Sequence, residues 1–343
     1  MEPTTATSNV VVIRPGALGD TMLTLPALEA LRRRFPGREI ELVGNHDAGQ
    51  LLAHWGVVDT VTSFEGPDVM RLYESEPRVS ARWARASVVV AWLGDGTRIA
   101  NAFRAQTGAH VIVAAPPVPA RAGHASDQLL VGLGPIVGDG DAPPPPPGDH
   151  WLGHGSRVAA LHPGSGAPRK NWPAERFAGL AGRLIGAGWC VRAIQGPADG
   201  EAVNAMLESL APSLRSEIRV VIPNDIDDLA ATLATAGVFV GNDSGVSHVA
   251  AALGVPTVAI FGATDPAVWA PRGARVSAIG APDRWPSLDA AAAAVSNIAK
   301  ADPVGDSAGV AGTRLDEDGA RKESEQDQNR DSVNHLLTPS QGL

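Results

Sequence analysis

Apolar residues in this chain cluster into short unbroken runs, and those runs recur with helical stretches between them. Val10-Val11-Val12-Ile13 is the first, the pattern of a central parallel strand covered on both faces. A glycine-bearing loop over 14–19 follows. Leu23, Leu25, Leu28 and Leu31 then recur at helical spacing, and Arg32-Arg33-Arg34 places cations at the C-terminal end of that helix. Residues 39–43, 87–92 and 110–113 read as later strands. A second series begins at 157–161 and continues at 189–194, 219–222, 238–241 and 257–261. Helices are predicted at 175–187, 198–211, 226–236 and 244–253. Strands alternating with helices through short loops imply two parallel sheets, each covered on both faces.

Between the series the pattern stops. Residues 138–155 contain Pro143-Pro144-Pro145-Pro146-Pro147, which can continue neither a helix nor a central strand. The segment reads as a semi-rigid linker. From Asp302 onward aromatic residues vanish and mixed charges accompany Ser, Gly and Gln, the composition of a disordered tail. The expected division is an N-terminal unit at 1–137, the linker at 138–155, a C-terminal unit at 156–301 and the tail at 302–343. The fold class is α/β, with two Rossmann-like domains facing a cleft.

Composition narrows the functions. The 343 residues are 44% hydrophobic and 19% charged, enough to bury a core in each half. The net charge of −9 and the 4% aromatic content argue against nucleic acid as a partner. Residues 1–9 lack the cationic start and apolar stretch of a signal peptide, and no run of about eighteen apolar residues could span a bilayer. A cytoplasmic protein is expected. The single cysteine, Cys190, sits in an apolar run and is expected to be buried and inert. Lysine is scarce, with Lys170, Lys300 and Lys322 against a background of arginine, so Lys170 stands alone before residue 300.

Four loops at strand ends carry candidate chemistry. The first, Arg14-Pro15-Gly16-Ala17-Leu18-Gly19-Asp20, brings a carboxylate to the start of a helix, where capping the helix is the plain alternative to catalysis. Its spacing is not the dinucleotide G-x-G-x-x-G. The second runs from His162 through Gly164, Ser165, Gly166 and Lys170 to Trp172. It offers free amides, a hydroxyl and a mobile positive charge to phosphate. An ordinary loop with Trp172 packed as a lid is the alternative, and the spacing is not that of a Walker motif. The third, Gly241-Asn242-Asp243-Ser244-Gly245-Val246-Ser247-His248, ends a buried strand at a helix start, an anion site by virtue of its unpaired amides. His248 falls on the helix face of Ser244. The fourth, Phe261-Gly262-Ala263-Thr264-Asp265-Pro266, has turn chemistry that explains it equally well. Glu201, after Gln195-Gly196, could meet a ribose diol or simply be a solvated first-turn glutamate. The Asp139-Gly140-Asp141 triplet lies in the proline segment with no strand before it and is set aside as a metal motif. There is no zinc spacing and no Gly-x-Ser-x-Gly elbow.

Together the loops resemble the heptosyltransferase family, the inverting transferases of lipopolysaccharide core assembly that use ADP-heptose (glycosyltransferase family 9). The resemblance spans about residues 10–280. It rests on Val12-Ile13-Arg14 with Ala17-Leu18-Gly19-Asp20, on Leu161-His162-Pro163-Gly164-Ser165 with Lys170-Asn171-Trp172-Pro173, on 241–252, and on Phe261-Gly262 with Thr264-Asp265-Pro266. It implies the glycosyltransferase B architecture and a nucleotide-sugar donor, ADP-linked, with no metal and no other cofactor. The acceptor it implies is a saccharide or glycolipid. Asp20 would be the general base. Ser165, Lys170, Ser244, Gly245 and Val246 would hold the donor diphosphate. Asp243, Glu201 and His248 would meet the donor sugar and ribose. Gly19, Arg98 and Arg104 would face the acceptor. The dense basic cluster that family members often use on phosphorylated lipid acceptors is missing between Ser63 and Asp127. The resemblance further implies a monomer that is cytoplasmic or peripheral at the inner membrane. A sugar-nucleotide epimerase, and a binding module without catalysis, are the alternatives on the same architecture.

Overall fold

The computed structural model describes residues 9–94, 96–118, 123–134, 136–137 and 152–300. Most of the proline-rich segment and the whole of 302–343 lie outside the described residues.

The first half is a five-stranded parallel sheet in the order β3-β2-β1-β4-β5. The strands are β1 (Asn9–Arg14), β2 (Ile40–Gly44), β3 (Thr60–Ser63), β4 (Ala86–Trp92) and β5 (His110–Ala114). Helices α1 (Leu18–Met22), α2 (Leu25–Arg34), α3 (His46–His54), α4 (Pro67–Met70), α5 (Gly96–Thr107) and α6 (Ala125–Val131) cover it. Val10 to Ile13 are fully buried, as an unbroken apolar run in a central strand requires. Of the helix expected across Leu23 to Leu31, α2 carries Leu25, Leu28 and Leu31, while Leu23 caps the end of the separate α1. Pro26 stands in the first turn of α2, where its missing N–H costs nothing, and the chain breaks at Leu23-Thr24.

The second half is a six-stranded parallel sheet in the order β11-β10-β9-β6-β7-β8. Its strands are β6 (Val158–His162), β7 (Cys190–Ile194), β8 (Arg219–Val221), β9 (Val238–Asn242), β10 (Thr257–Phe261) and β11 (Val276–Gly280). Helices α7 (Ala174–Gly186), α8 (Gly200–Glu208), α9 (Pro212–Arg215), α10 (Ile226–Ala234), α11 (Gly245–Ala252), α12 (Pro266–Trp269) and α13 (Leu288–Lys300) complete it. Cys190 is exposed, not buried: it opens β7, and the strand's apolar packing begins one residue later at Val191.

The halves are joined by an apolar cluster that runs from Leu51 and Leu52 of α3 to Leu229 and Leu233 of α10. His54 Nδ1 meets Asp227 Oδ1 at 2.8 Å across the same seam. On the other flank His124 Nε2 donates to the Ala270 carbonyl at 2.7 Å and Arg272 pairs with Asp127 at 2.5 Å. Between these flanks α1 packs on α11.

Candidate active site

Strand β1 ends in a charge. Arg14, its last residue, is buried to 8% side-chain exposure and donates from Nη2 to Asp20 Oδ1 at 2.9 Å. Burial pulls its pKa below the ordinary guanidinium value, and the Asp20 charge opposes that shift. The other Asp20 oxygen accepts the Ala17 amide at 3.0 Å, which closes the turn into α1. The capping role is therefore real, yet the carboxylate keeps 38% exposure and faces the space between the halves. Gly16, at φ 142°, supplies the backbone this turn needs: a Cβ there would stand 2.6 Å from Asp20 Cβ.

Across from Asp20 the second half presents α11. Gly19 and Gly245 pack closely against each other, for a Cβ on Gly245 would lie 2.7 Å from Leu18 Cβ and 2.9 Å from the Gly19 amide nitrogen. Ser247 and His248 return their amides to the Ser244 carbonyl. The amides of Gly245 and Val246, at the first two helical positions, have no such partner within the helix, and the positive end of the helix dipole lies with them.

Asn242 is fully buried and staples the third loop to both ends of the second. Its Oδ1 accepts the Trp172 amide at 2.9 Å, and its Nδ2 donates to the Pro163 and Gly164 carbonyls at 2.8 and 3.1 Å. Trp172 is thus core and not a lid: it is 1% exposed, packed edge-on to Phe177, with Nε1 donating to Pro286 O. Asp243 accepts from Lys170 Nζ at 2.7 Å and Thr264 Oγ1 at 2.6 Å, so the second, third and fourth loops converge on one carboxylate. Lys170 remains partly exposed at 26%. Ser165 spends its hydroxyl inside its own loop, 2.7 Å from the Ala167 carbonyl and 2.6 Å from Asn171 Oδ1.

His248 lies under all of this. Burial drives its pKa down to about 4, the charges of Asp243 and Asp20 pull it back up, and those of His124 and Lys170 push it further down. Its ring therefore carries no charge near pH 7, and the groups that bear on it come from both halves.

The remaining sequence candidates fall outside this cluster. Glu201 is exposed in the first turn of α8. Arg98, in the first turn of α5, donates to the Tyr73 and Glu74 carbonyls. Arg104 bonds the Val111 carbonyl at 3.1 Å near the start of β5, at the end of the sheet away from Asp20. Sequence reasoning missed Arg14 as the partner of Asp20, although a charge closing an apolar run was a signal. It missed Asp199 as well. That carboxylate, 7% exposed, accepts from His162 Nε2 at 3.0 Å and from the Gly196 amide at 2.8 Å. No local pattern links residues so far apart in the chain.

Residues 147–296 match the family model of glycosyltransferase family 9 (heptosyltransferase). Over these residues the chain is similar to that family. Lipopolysaccharide heptosyltransferase 2 of Escherichia coli K12 is 36% identical over 100 residues, which cover 29% of this chain and 29% of that protein. Lipopolysaccharide heptosyltransferase 3 of Escherichia coli is 23% identical over 294 residues, covering 74% and 83% of the two chains. The E. coli ADP-heptose lps heptosyltransferase II structure superposes with a TM-score of 0.68 at 21% identity, over 85% of this chain and 98% of that one. The fold of this chain is therefore the two-domain glycosyltransferase B architecture. Among its described residues no group of three or more His, Cys, Asp or Glu is placed to hold a metal ion, and no helix is long and apolar enough to cross a membrane.

Proposed function

We propose that the chain is an inverting glycosyltransferase that moves a sugar, heptose from ADP-heptose, onto a saccharide or glycolipid acceptor. The observation that carries this reading is the meeting of Asp20 from one half with the α11 N-terminus and the Lys170–Asp243 pair from the other, around the uncharged His248. In this reading residues 1–137 bind the acceptor and 156–301 bind the donor. Asp20 takes the proton from the acceptor hydroxyl. That oxygen attacks the anomeric carbon from the side opposite the diphosphate, the bond to the phosphate oxygen breaks, and the electron pair leaves on ADP.

The charge that develops on the diphosphate meets the free amides of Gly245 and Val246 and the Lys170 ammonium. Fixed donors of this kind are worth about 3–4 kcal/mol each when aimed at developing charge. Lys170 is held beforehand by Asp243, so the anion competes for an ion pair that already exists. Asp243 then has an oxygen for the donor sugar. Ser165 reaches the ligand only by giving up a hydrogen bond in its loop, and Glu201 reaches the ribose from the α8 start. Gly19 and Arg98 border the acceptor side, and Arg104 contributes from farther off. The transfer is read as metal-independent, performed by a monomer at the cytoplasmic face of the membrane. Relatives named for lipopolysaccharide or ADP-heptose support the choice of donor and acceptor class.

The test is to incubate the purified chain with ADP-heptose and a panel of saccharide and glycolipid acceptors, following ADP release and the anomeric configuration by NMR. Acceptor-dependent ADP release with inversion is expected. Conversion of the donor without acceptor and without free ADP would replace transfer by epimerisation.

A further inference from the structure

His162, at the end of β6, lies between the starts of two helices and holds the capping side chain of each. Asp199 is the N-cap of α8, and Ser244 is the N-cap of α11. His162 Nε2 is 3.0 Å from Asp199 Oδ2, and its Nδ1 is 3.3 Å from Ser244 Oγ. All three side chains are buried, at 2% exposure for His162, 7% for Asp199 and 9% for Ser244. Neither Asp199 nor Ser244 hydrogen-bonds an amide of its own helix. Thr24 at the start of α2 likewise caps nothing, its hydroxyl going to the Thr21 carbonyl. Asn45, Asp225 and Asp265 each accept an amide from the first turn of the helix they cap. Ser244 has the extended backbone of an ordinary N-cap, φ −149° and ψ 162°, so its main chain does not prevent the same bond.

The hydrogen-bond inventory explains where the hydroxyl goes. Burial would raise the pKa of Asp199, but the His162 hydrogen bond and charge and the Gly196 amide hold it below the ordinary value. An ionised carboxylate only accepts, so His162 Nε2 carries the hydrogen. Nδ1 then bonds Ser244 Oγ in either state of the ring, accepting from the hydroxyl when neutral and donating to it when charged. Ser244 Oγ also lies 3.4 Å from Ser247 Oγ, whose own hydrogen goes to the Asn242 carbonyl at 2.6 Å. Asp199 is locked in place by shape as well, since a Cβ on Gly164 would sit 1.9 Å from its Oδ1.

We propose that His162 and Asp199 are positioning residues that hold the Ser244 hydroxyl off its own helix, leaving the first amides of α11 open to the leaving diphosphate. The proposal rests on the reading of that helix end as the diphosphate site. Without His162 the hydroxyl turns onto the helix and competes with the ligand for the same donors.

The experiment compares ADP binding by calorimetry in the full chain, in His162→Phe, and in His162→Phe combined with Ser244→Ala. A serine cap carries enough free energy that its competition weakens ADP binding roughly tenfold in His162→Phe. Removing the hydroxyl as well should restore most of that loss, so the second substitution improves binding. A double variant that binds ADP as weakly as the single one, or more weakly, overturns the proposal. Amide hydrogen exchange supplies a readout that needs no ligand: Val246, whose amide is open, should exchange more slowly in His162→Phe and return to the unaltered rate when Ser244→Ala is added. Unchanged exchange at the Val246 amide in the single variant likewise overturns it. Should His162→Phe fail to fold, His162→Gln, whose amide reaches Asp199 from the position of Nε2 and leaves nothing polar at that of Nδ1, is expected to give the same pattern. Absence of ADP binding by the unaltered chain would sink the diphosphate reading, while the exchange pattern still decides whether His162 restrains Ser244.

Discussion

The two halves share an architecture and differ in how they prepare their chemistry. In the second half the polar groups at the strand ends are wired before a ligand arrives: Asn242 to both ends of the 162–172 loop, Asp243 to Lys170 and Thr264, Ser244 to His162, which in turn holds Asp199. In the first half one ion pair, Arg14–Asp20, faces the cleft, and its carboxylate stays 38% exposed. Preorganised donors lower a barrier because they need not be rearranged when charge develops. A half that holds a constant diphosphate gains from such wiring. A half that must admit an acceptor needs one well-aimed base and room around it.

This comparison can be broken at the point where the halves touch. Gly245→Val would push a side chain into Leu18 and the Gly19 backbone, forcing α1 away from α11. Transfer is expected to fall by more than about a hundredfold, since misplacement by roughly 1 Å costs that much, while Gly166→Ala, which meets nothing within 4 Å, keeps its rate. Equal rates in a steady-state assay would mean that the contact is not part of the site. Next in size is Lys170→Ala. It removes the charge proposed to face the diphosphate and leaves the Asp243 carboxylate with the Thr264 hydroxyl. A drop in kcat of about 10²–10³ is expected, with the acceptor KM unchanged. A shift in acceptor KM alone would move Lys170 to the other half's account.

The uncharged His248 gives the comparison a pH dependence. Its pKa is 6.5 in an unfolded chain and about 4 in the folded one. The unfolded chain therefore binds a proton that the folded chain refuses, and the stability is fully present above pH 6.5 and lost as pH falls through 4. The span is of the order of 3 kcal/mol. Urea denaturation at pH 7 and pH 5 should show the native chain losing more stability than His248→Gln, and parallel losses would contradict the buried neutral ring. The smallest effects belong to the arginines of α5. Arg98→Ala, near the start of the helix, should raise the acceptor KM a few-fold, from roughly 0.5–1 kcal/mol of lost contact. Arg104→Ala, two turns farther from the cleft, should change it less, and the reverse order would relocate the acceptor.

Much of the fold was readable because central parallel strands are continuous apolar runs, and 10–13, 238–241 and 257–261 say so without ambiguity. The strands that escaped are edges. Thr60–Ser63 is four residues with one buried side chain, and Val276–Gly280 has none fully buried, so neither carries the apolar signal. Helix α13, rich in alanine, followed the last strand that the pattern revealed. At the site, the loop motifs named Asp20, Lys170 and Asp243 from chemistry and spacing. What the linear pattern could not hold were the pairings, because Lys170 finds Asp243 and His162 finds Asp199 only once β6, β7 and β9 lie side by side. Cys190 was misread for a related reason: an apolar neighbourhood in sequence does not say which face of a strand's first residue is covered.

The central claim is a division of labour, with the donor held by one half and the base supplied by the other. The most direct test measures ADP-heptose affinity and transfer rate side by side for the native chain and Asp20→Asn. The account predicts a transfer rate lower by about 10²–10⁴, the usual contribution of a general base, with donor affinity within a factor of about two. Undiminished transfer in Asp20→Asn would contradict the assignment of the base, and donor affinity lost along with the rate would contradict the division itself.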